Sequence, residues 1–288
     1  MQKGTILYEA ILARRSVRRY DDRPLDEDTL ARVEEIISSV KPLVPGNEFH
    51  ADLLNVTPGT DLVSALGGYG RVVNPPHYLV PYVLGQEHPL TDAGYRVEQI
   101  SVRMAELGIG SCFIGALSRE AEVRAFHHLP DDARIGAFLV FGWPSEALGG
   151  RAANRLLRLA AGASRKLAPR DIFFEEDFDH PAVPPQDIVP LIEAARHAPS
   201  AVNAQPWRFL WLGGRLHLFA TTTSRRYGPG LGKEYRFHDA GAAMANVALV
   251  MEVLGLKGGW TLVDKAEFPL PDLPKNLQPL AILTLDDD

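Results

Sequence analysis

Apolar positions along the chain repeat with helical and strand-like spacings, and each spacing predicts an element. Ile6, Leu7, Ala10 and Ile11, behind Thr5 as a cap, predict a short helix over residues 5–13 that runs into arginines. Leu30, Val33, Ile36 and Ile37 share one face of a second helix over residues 26–39, with Asp26, Glu27 and Asp28 at its positive N-terminal end. The Pro- and Gly-bearing stretch after it reads as irregular. His77–Leu84 reads as a strand, with Pro81 arguing for a sheet edge. Residues 92–107 form a helical pattern broken by Gly108-Ile109-Gly110, and residues 135–141 a further apolar strand.

The second half repeats this plan. Residues 185–198 predict a helix with Ile188, Leu191, Ile192 and Ala195 inside, stopped by Pro199. Residues 207–212 and 215–220 predict two strands joined by Gly213-Gly214, a hairpin signal. Residues 240–256 are apolar almost all round, which predicts a centrally buried helix. Residues 280–285 close the chain as a strand before a solvated tail, Asp286-Asp287-Asp288. The two long helices also match each other. Thr91-Asp92-Ala93-Gly94, through Met104, Leu107, Gly108 and Ile109, aligns with His238-Asp239-Ala240-Gly241, through Met251, Leu254, Gly255 and Leu256, 147 residues later. That spacing is close to half of 288 residues, so a duplicated unit packed about a pseudo-twofold axis is the expected organisation.

Composition narrows the picture. Hydrophobic residues make up 46% and charged residues 23%, which suits a globular chain with a sizeable core. The net charge of -6 lacks the basic excess of a nucleic-acid binder, so no nucleic-acid partner is expected. Asn246 and Glu252 interrupt the longest apolar stretch, and the N-terminus has no signal-peptide core, so no membrane partner and a cytoplasmic location are the expectations. Cys112 is the one cysteine, set in an apolar run that predicts a buried, inert thiol. His127 and His128 are adjacent and point apart on a helix, which predicts surface histidines and no metal site.

Two segments concentrate chemistry. In Arg14-Arg15-Ser16-Val17-Arg18, the helix ends and an extended segment begins, so that Ser16 and Arg18 project to the same side. Guanidinium forks plus a hydroxyl suit a phosphate monoester. The same cations would equally favour the negative end of the helix dipole, and spacing alone does not choose. In residues 198–207, two prolines bracket a stiff loop displaying Ser200, Asn203 and Gln205, which could meet the polar edge of a heterocycle or simply make a well-built turn. No Gly-x-Gly-x-x-Gly after a strand, Walker loop or Gly-x-Ser-x-Gly is present.

Together these segments resemble the FMN-dependent nitroreductase family. Arg14 to Arg18 is similar to its phosphate-binding motif, and Pro199-Ser200-Ala201-Val202-Asn203-Ala204-Gln205-Pro206-Trp207 to its flavin loop. Residues 108–115 are similar to the segment that runs along the flavin near N5, and Ser164-Arg165-Lys166-Leu167-Ala168-Pro169 to the basic tail that closes over the phosphate. The resemblance implies an α+β nitroreductase-like fold, with two tandem α/β halves packed as a pseudodimer around central helices. It places a phosphate-binding half with a crossover tail at residues 1–178 and a flavin-loop half at residues 179–288.

The implied cofactor is FMN. Arg14, Ser16, Arg18, Arg165 and also Arg15 and Lys166 would hold its phosphate; Pro199, Ser200, Ala201, Asn203 and Gln205 would approach the ring or ribityl chain. Cys112, Ile114, Gly115 and Ala116 would lie near N5. No acid/base side chain is nominated, since the chemistry is the flavin's. NADH or NADPH would be the donor and a nitroaromatic, quinone or similar small aromatic the acceptor, chosen by loops 47–69 and 222–236. The family's homodimers combine a phosphate site from one subunit with a flavin loop from the other. Here each motif occurs once, because residues 38–49 match the flavin loop poorly and Gly255-Leu256-Lys257 replaces Gly-Leu-Gly. One composite site per chain and a monomer acting as an intrachain pseudodimer follow, as in the two-repeat TM nitroreductase type. The alternative is a non-catalytic, flavin-binding pseudodimer that keeps the fold and FMN without nicotinamide-driven turnover.

Overall fold

Helix starts and stops follow the local chemistry of the chain. The computed structural model describes residues 3–145, 165–223, 225–227, 230–263 and 273–286; Ser164, Ser224, Gly228, Pro229, Asp287 and Asp288, named above singly or within loops, lie outside the described residues. Helix α1 (Lys3–Ala13) carries Leu7, Ala10 and Ile11 into the core. Helix α2 (Glu27–Ser39) is capped by Asp26, whose carboxylate accepts the Thr29 N–H at 2.8 Å. After the short α3 (Leu62–Leu66), α4 (Pro89–Glu106) opens on a proline that has no N–H to leave unpaired. Among the described residues, helices α5 (Glu120–His127), α6 (Val189–His197) and α7 (Tyr235–Leu254) follow, and Gly255 ends α7 in the left-handed region at φ 70°.

The first sheet has the order β1-β2-β4-β3, with β1 (Glu48–Asn55), β2 (His77–Leu84), β3 (Gly110–Gly115) and β4 (Ala137–Gly142) all antiparallel. The second has the order β5-β6-β7-β9-β8, with β5 (Phe173–Glu175), β6 (Trp207–Leu212), β7 (Arg215–Thr221), β8 (Gly258–Leu262) and β9 (Leu277–Leu285). Only β5 pairs parallel; it brings the segment after residue 165 onto the edge of the second sheet. Without β5 the two orders are the same, and a long helix follows the second strand of each. This is an α+β fold.

Helix α4 packs on β2 and β3, α7 on β6 and β7, and the two helices pack on each other. Their crossing is reciprocal. A Cβ on Gly94 would fall on the His238 carbonyl, and one on Gly241 on the Thr91 carbonyl, the same pair of positions exchanged between the helices. Glycine is needed there because only a bare backbone allows that approach. Helix α7 is buried from His238 to Val247 without interruption. By length and hydropathy the stretch Gly232–Leu254 would pass for a membrane span; 72% of its most apolar 18-residue window is buried, as a central core helix requires.

Five strand expectations need correction, β5 within the expected crossover tail among them. Residues 48–55 are not irregular: Phe49, Ala51 and Leu53 alternate inward against Glu48, His50 and Asp52 outward, along the whole of β2. Pro81 is not on a sheet edge, because β2 is interior. It is tolerated because β4 pairs only with His77–Leu79 and leaves the far side of Pro81 beyond the two-sided ladder. β3 and β8 were also unassigned, and β8 opens with Gly258 and Gly259, which have no side chains to display an alternation. His127 is half-buried rather than on the surface, its ring set against Tyr78, Phe126 and Phe138. Gly213 and Gly214, at φ 58° and 72°, make the expected tight hairpin.

Candidate functional site

The arginine segment leaves α1 and lies along β3. Ser16 bridges Ser111 in parallel fashion, and the Val17 N–H donates to the Ser111 carbonyl at 2.9 Å. Val17 turns inward onto Gly110, so the alternation sends Ser16 and Arg18 to the opposite side. Arg15 Nη1 donates to the carbonyls of Leu12 at 2.5 Å and Arg14 at 2.7 Å, closing the end of α1. Arg15 thus meets the helix-end reading, and Arg14 does not. The Arg14 side chain is buried, with Nε 3.4 Å from Glu98 Oε1, while its Nε and Nη1 have no hydrogen-bond partner.

The Pro-Ser loop is held in an unusual backbone. Val202, Asn203 and Gln205 have φ of 47°, 53° and 48°, a region that costs roughly 1–2 kcal/mol per ordinary residue. Several bonds enforce it. The Asp239 carboxylate accepts the Ala201 N–H at 3.0 and 3.1 Å and the Tyr227 hydroxyl at 2.8 Å. Ser200 Oγ accepts the Gln205 N–H at 3.0 Å. The Asn203 and Gln205 amides donate to the Arg165 carbonyl at 3.0 and 3.1 Å, and Gln205 Oε1 accepts the Leu167 N–H at 2.9 Å. Lys166 Nζ donates to the Ala198 carbonyl at 2.7 Å. Loop and basic tail are therefore one knitted unit.

Arginine segment, loop and tail enclose a cavity of about 360 Å³. Arg14, Arg15, Ser16, Arg18 and Lys166 line one end; Pro199, Ser200, Ala201, Val202 and Asn203 form a wall; Ile114 and Gly115 lie on the strand side with Phe113. Four of the expected site residues are not in the lining. Cys112 and Ala116 are buried in the core beside β3, Arg165 contributes the carbonyl just described, and Gln205 turns to the tail. Burial raises the Cys112 thiol, in keeping with an inert group.

Ser118, His238, Asp239 and Ala242 also line the cavity without being among the expected site residues, while Tyr69 and Tyr235 come from the two loops expected to choose the acceptor. Asp239 and His238 were visible only as part of the repeat. Burial lowers the His238 imidazole to about 4, so the ring is neutral, edge-on to Phe113. Burial raises Asp239 to about 7, against the Ala201 N–H, the Tyr227 hydroxyl and Lys166. The Tyr235 hydroxyl accepts the Leu117 N–H at 3.1 Å and is pushed up to about 12, mainly by burial. Glu98, beneath Arg14, is raised to about 7 by burial, although Arg14 and Lys166 pull it down. Lys166 is lowered to about 7 by burial and by Arg14. The buried Arg14 with its unpaired N–H groups, the half-buried Lys166 and a serine hydroxyl fit a phosphate, and the mixed apolar and backbone wall fits a flat ring.

Residues 6–229 match the family model described as "Putative TM nitroreductase". None of the curated proteins matches the chain. Among solved structures, a putative nitroreductase from Thermotoga maritima has a TM-score of 0.58 at 19% identity, covering 98% of this chain and 95% of that one. The likeness is one of fold, and it gives the α+β architecture as nitroreductase-like. An FMN-dependent nitroreductase from Clostridium difficile, at 18% identity and TM-score 0.42, covers 48% of this chain and 87% of its own. A protein from Bacteroides thetaiotaomicron named as a putative NADH dehydrogenase/NAD(P)H nitroreductase, at 16% and 0.42, covers 49% of this chain and 88% of its own.

Proposed function

The chain belongs to the TM nitroreductase family, and from that premise we propose that it is an FMN-dependent oxidoreductase taking electrons from NADH or NADPH and passing them to a small acceptor such as a nitroaromatic or quinone. The observation that carries this reading is the meeting of Arg14, Ser16, Arg18 and Lys166 with the Pro199–Asn203 wall in one cavity. FMN would supply two-electron transfer at its ring. The chain's task is then to bind and orient. Arg14, Ser16, Arg18 and Lys166 hold the phosphate, Ser200 and Ala201 border the ring or ribityl chain, and the Phe113–Gly115 segment lies alongside the ring. Tyr69, half-exposed at the cavity, stands where an acceptor would enter.

We further propose that residues 1–178 and 179–288 act as the two halves of a fused dimer, with one FMN per chain and a working monomer. The shared strand order and the reciprocal glycine crossing support this. At the twin-related position a second cavity of about 380 Å³ is lined by Lys41, Pro42, Tyr95, Gln99 and Trp260. There Tyr95 stands in place of Ala242, narrowing the room for a ring.

A visible spectrum with flavin-to-chain stoichiometry tests the binding reading: one FMN per chain is expected, and two would overturn the single-site assignment. Anaerobic addition of NADH or NADPH tests the enzyme reading. Bleaching of the flavin is expected; a flavin that stays oxidised would leave the non-catalytic, flavin-binding alternative.

A further inference from the structure

Glu98 is a buried acid that the proposed chemistry does not use. It sits on α4 with no exposure, and beside Arg14 its polar neighbour is the Asn246 amide, which lies too far or too askew for a well-formed hydrogen bond. Its countercharge is Arg14 Nε at 3.4 Å. Lys166 lies in the same buried pocket, anchored to the Ala198 carbonyl, and lines the cavity together with Arg14. The twin-related position on α7 is Ala245, so the acid belongs to this cavity alone.

We propose that Arg14, Glu98 and Lys166 form a proton-accepting cradle, in which Glu98 and Lys166 take up protons when the phosphate of the ligand settles against Arg14 and Lys166. This rests on the reading of the cavity as an FMN site. Without phosphate, an ionised Glu98 offsets the buried Arg14 guanidinium and keeps it in place. A phosphate dianion needs both cations, and a buried carboxylate beneath it becomes an unfavourable third negative charge. Protons from bulk water that neutralise Glu98 and complete the charging of Lys166 leave both cations charged, the carboxyl neutral and the whole ensemble balanced against the dianion.

Other charged groups face the cluster. Arg15 and Arg196 oppose the charging of Lys166; His197 and Asp239 feel it in turn. Asp239 is the competing proton site. Both Glu98 and Lys166 titrate near 7 because they are buried, so the transfer is accessible near neutral pH.

The test is calorimetry of FMN binding to the flavin-stripped full-length protein at pH 8, where the phosphate, with a second pKa of about 6, is already a dianion. The binding enthalpy is measured in buffers of different ionisation enthalpy. Uptake of between one and two protons per FMN is expected, with affinity falling by about ten- to a hundredfold per pH unit above neutrality. Riboflavin, which lacks the phosphate, should bind without uptake. Glu98→Gln/Lys166→Met should bind FMN more weakly and without uptake, and Asp239→Asn should retain it. Enthalpies independent of buffer in the wild type, or equal uptake with riboflavin, would overturn the cradle while leaving the flavin site intact. Uptake that disappears in Asp239→Asn would move the proton elsewhere and also overturn it. Should the double variant not fold, the comparison of FMN with riboflavin on the wild type decides. No binding of FMN would remove the flavin reading and the cradle with it.

Discussion

Asp92 and Asp239 occupy the same place at the start of the two long helices, and each captures backbone N–H groups of the loop that precedes its sheet. In the first half, Asp92 accepts from Leu43 at 2.8 Å and Val44 at 3.2 Å. In the second, Asp239 accepts from Ala201. The outcomes diverge because of the residues a turn further on. Arg96 pairs with Asp92 at 3.0 Å and donates to the Asn47 carbonyl at 3.1 Å, riveting the first loop down, and Tyr95 packs beside it. The counterparts are Ala242 and Ala243, which leave room, and the second loop instead borders the main cavity. The same anchor therefore supports a sealed loop or an open one, and two side chains decide which.

Replacing the anchors should break this comparison in opposite directions. Asp92→Asn leaves the buried Arg96 guanidinium without its carboxylate, and the expected loss is about 3–5 kcal/mol in chemical denaturation. Asp239→Asn should stabilise the protein at pH 8. Burial holds the Asp239 carboxyl at about 7 in the folded chain against 3.8 for the free group, so folding binds a proton between those values and stability falls as pH rises through that window. Asn keeps the acceptor for Ala201 without the buried charge. The advantage should shrink as pH falls from 7 toward 4 and vanish below about pH 3, where the wild-type group is protonated in both states. Equal effects of the two substitutions at all pH values would mean that the two anchors are not different in kind.

The helix crossing tests the likeness rather than the difference. Alanine at Gly94 or Gly241 would gain about 1 kcal/mol of helix propensity, but its Cβ would fall on a carbonyl of the other helix. Each substitution should therefore destabilise, by about 2–3 kcal/mol, and by similar amounts. A clear inequality between them would argue against a symmetric crossing.

How far the sequence reached follows from the same contrast. The long helices, the hairpin and the paired glycines were readable because their signals are local: periodicity, a Gly-Gly turn and an identical Asp-Ala-Gly. β1 was readable too, in Phe49, Ala51 and Leu53, and was obscured by the prolines and glycine before it. β8 was not, since two glycines carry no alternation. At the cavity, Arg14, Ser16, Arg18, Ser200 and Ala201 were found from motifs of adjacent residues. Glu98 and His238 were hidden because they come from helix faces whose neighbours are fixed only by packing, whereas Tyr235 was reached only through its place in residues 222–236. Gln205 belonged to a legible motif, yet its amide closes the tail onto the loop, an orientation set by left-handed backbone at three positions.

Within the proposed FMN site, Arg18→Ala should weaken FMN binding by about 1.5–3 kcal/mol, roughly ten- to a hundredfold, measured by quenching of flavin fluorescence. Unchanged affinity would count against Arg18 as a phosphate ligand.

The smallest expected effect is the most discriminating for the two cavities. Lys41 lines the twin-related cavity, with its ammonium 3.5 Å from Glu252 and largely exposed to solvent, so the pair contributes at most about 1 kcal/mol. The loop that carries Lys41 stays in place through backbone contacts instead: its N–H donates to Gln99 Oε1 at 3.1 Å and its carbonyl accepts from Gln99 Nε2 at 2.9 Å. Lys41→Ala removes the cation and leaves both contacts standing. If the second cavity holds no flavin phosphate, the variant should match the wild type in FMN affinity, stoichiometry and stability. If it does hold one, loss of its lining lysine should appear as a drop in bound FMN toward one per chain from a higher wild-type value. The pairing of a near-zero effect at Lys41 with a large one at Arg18 would localise binding to the half where alanines, rather than tyrosine and arginine, follow the anchoring aspartate.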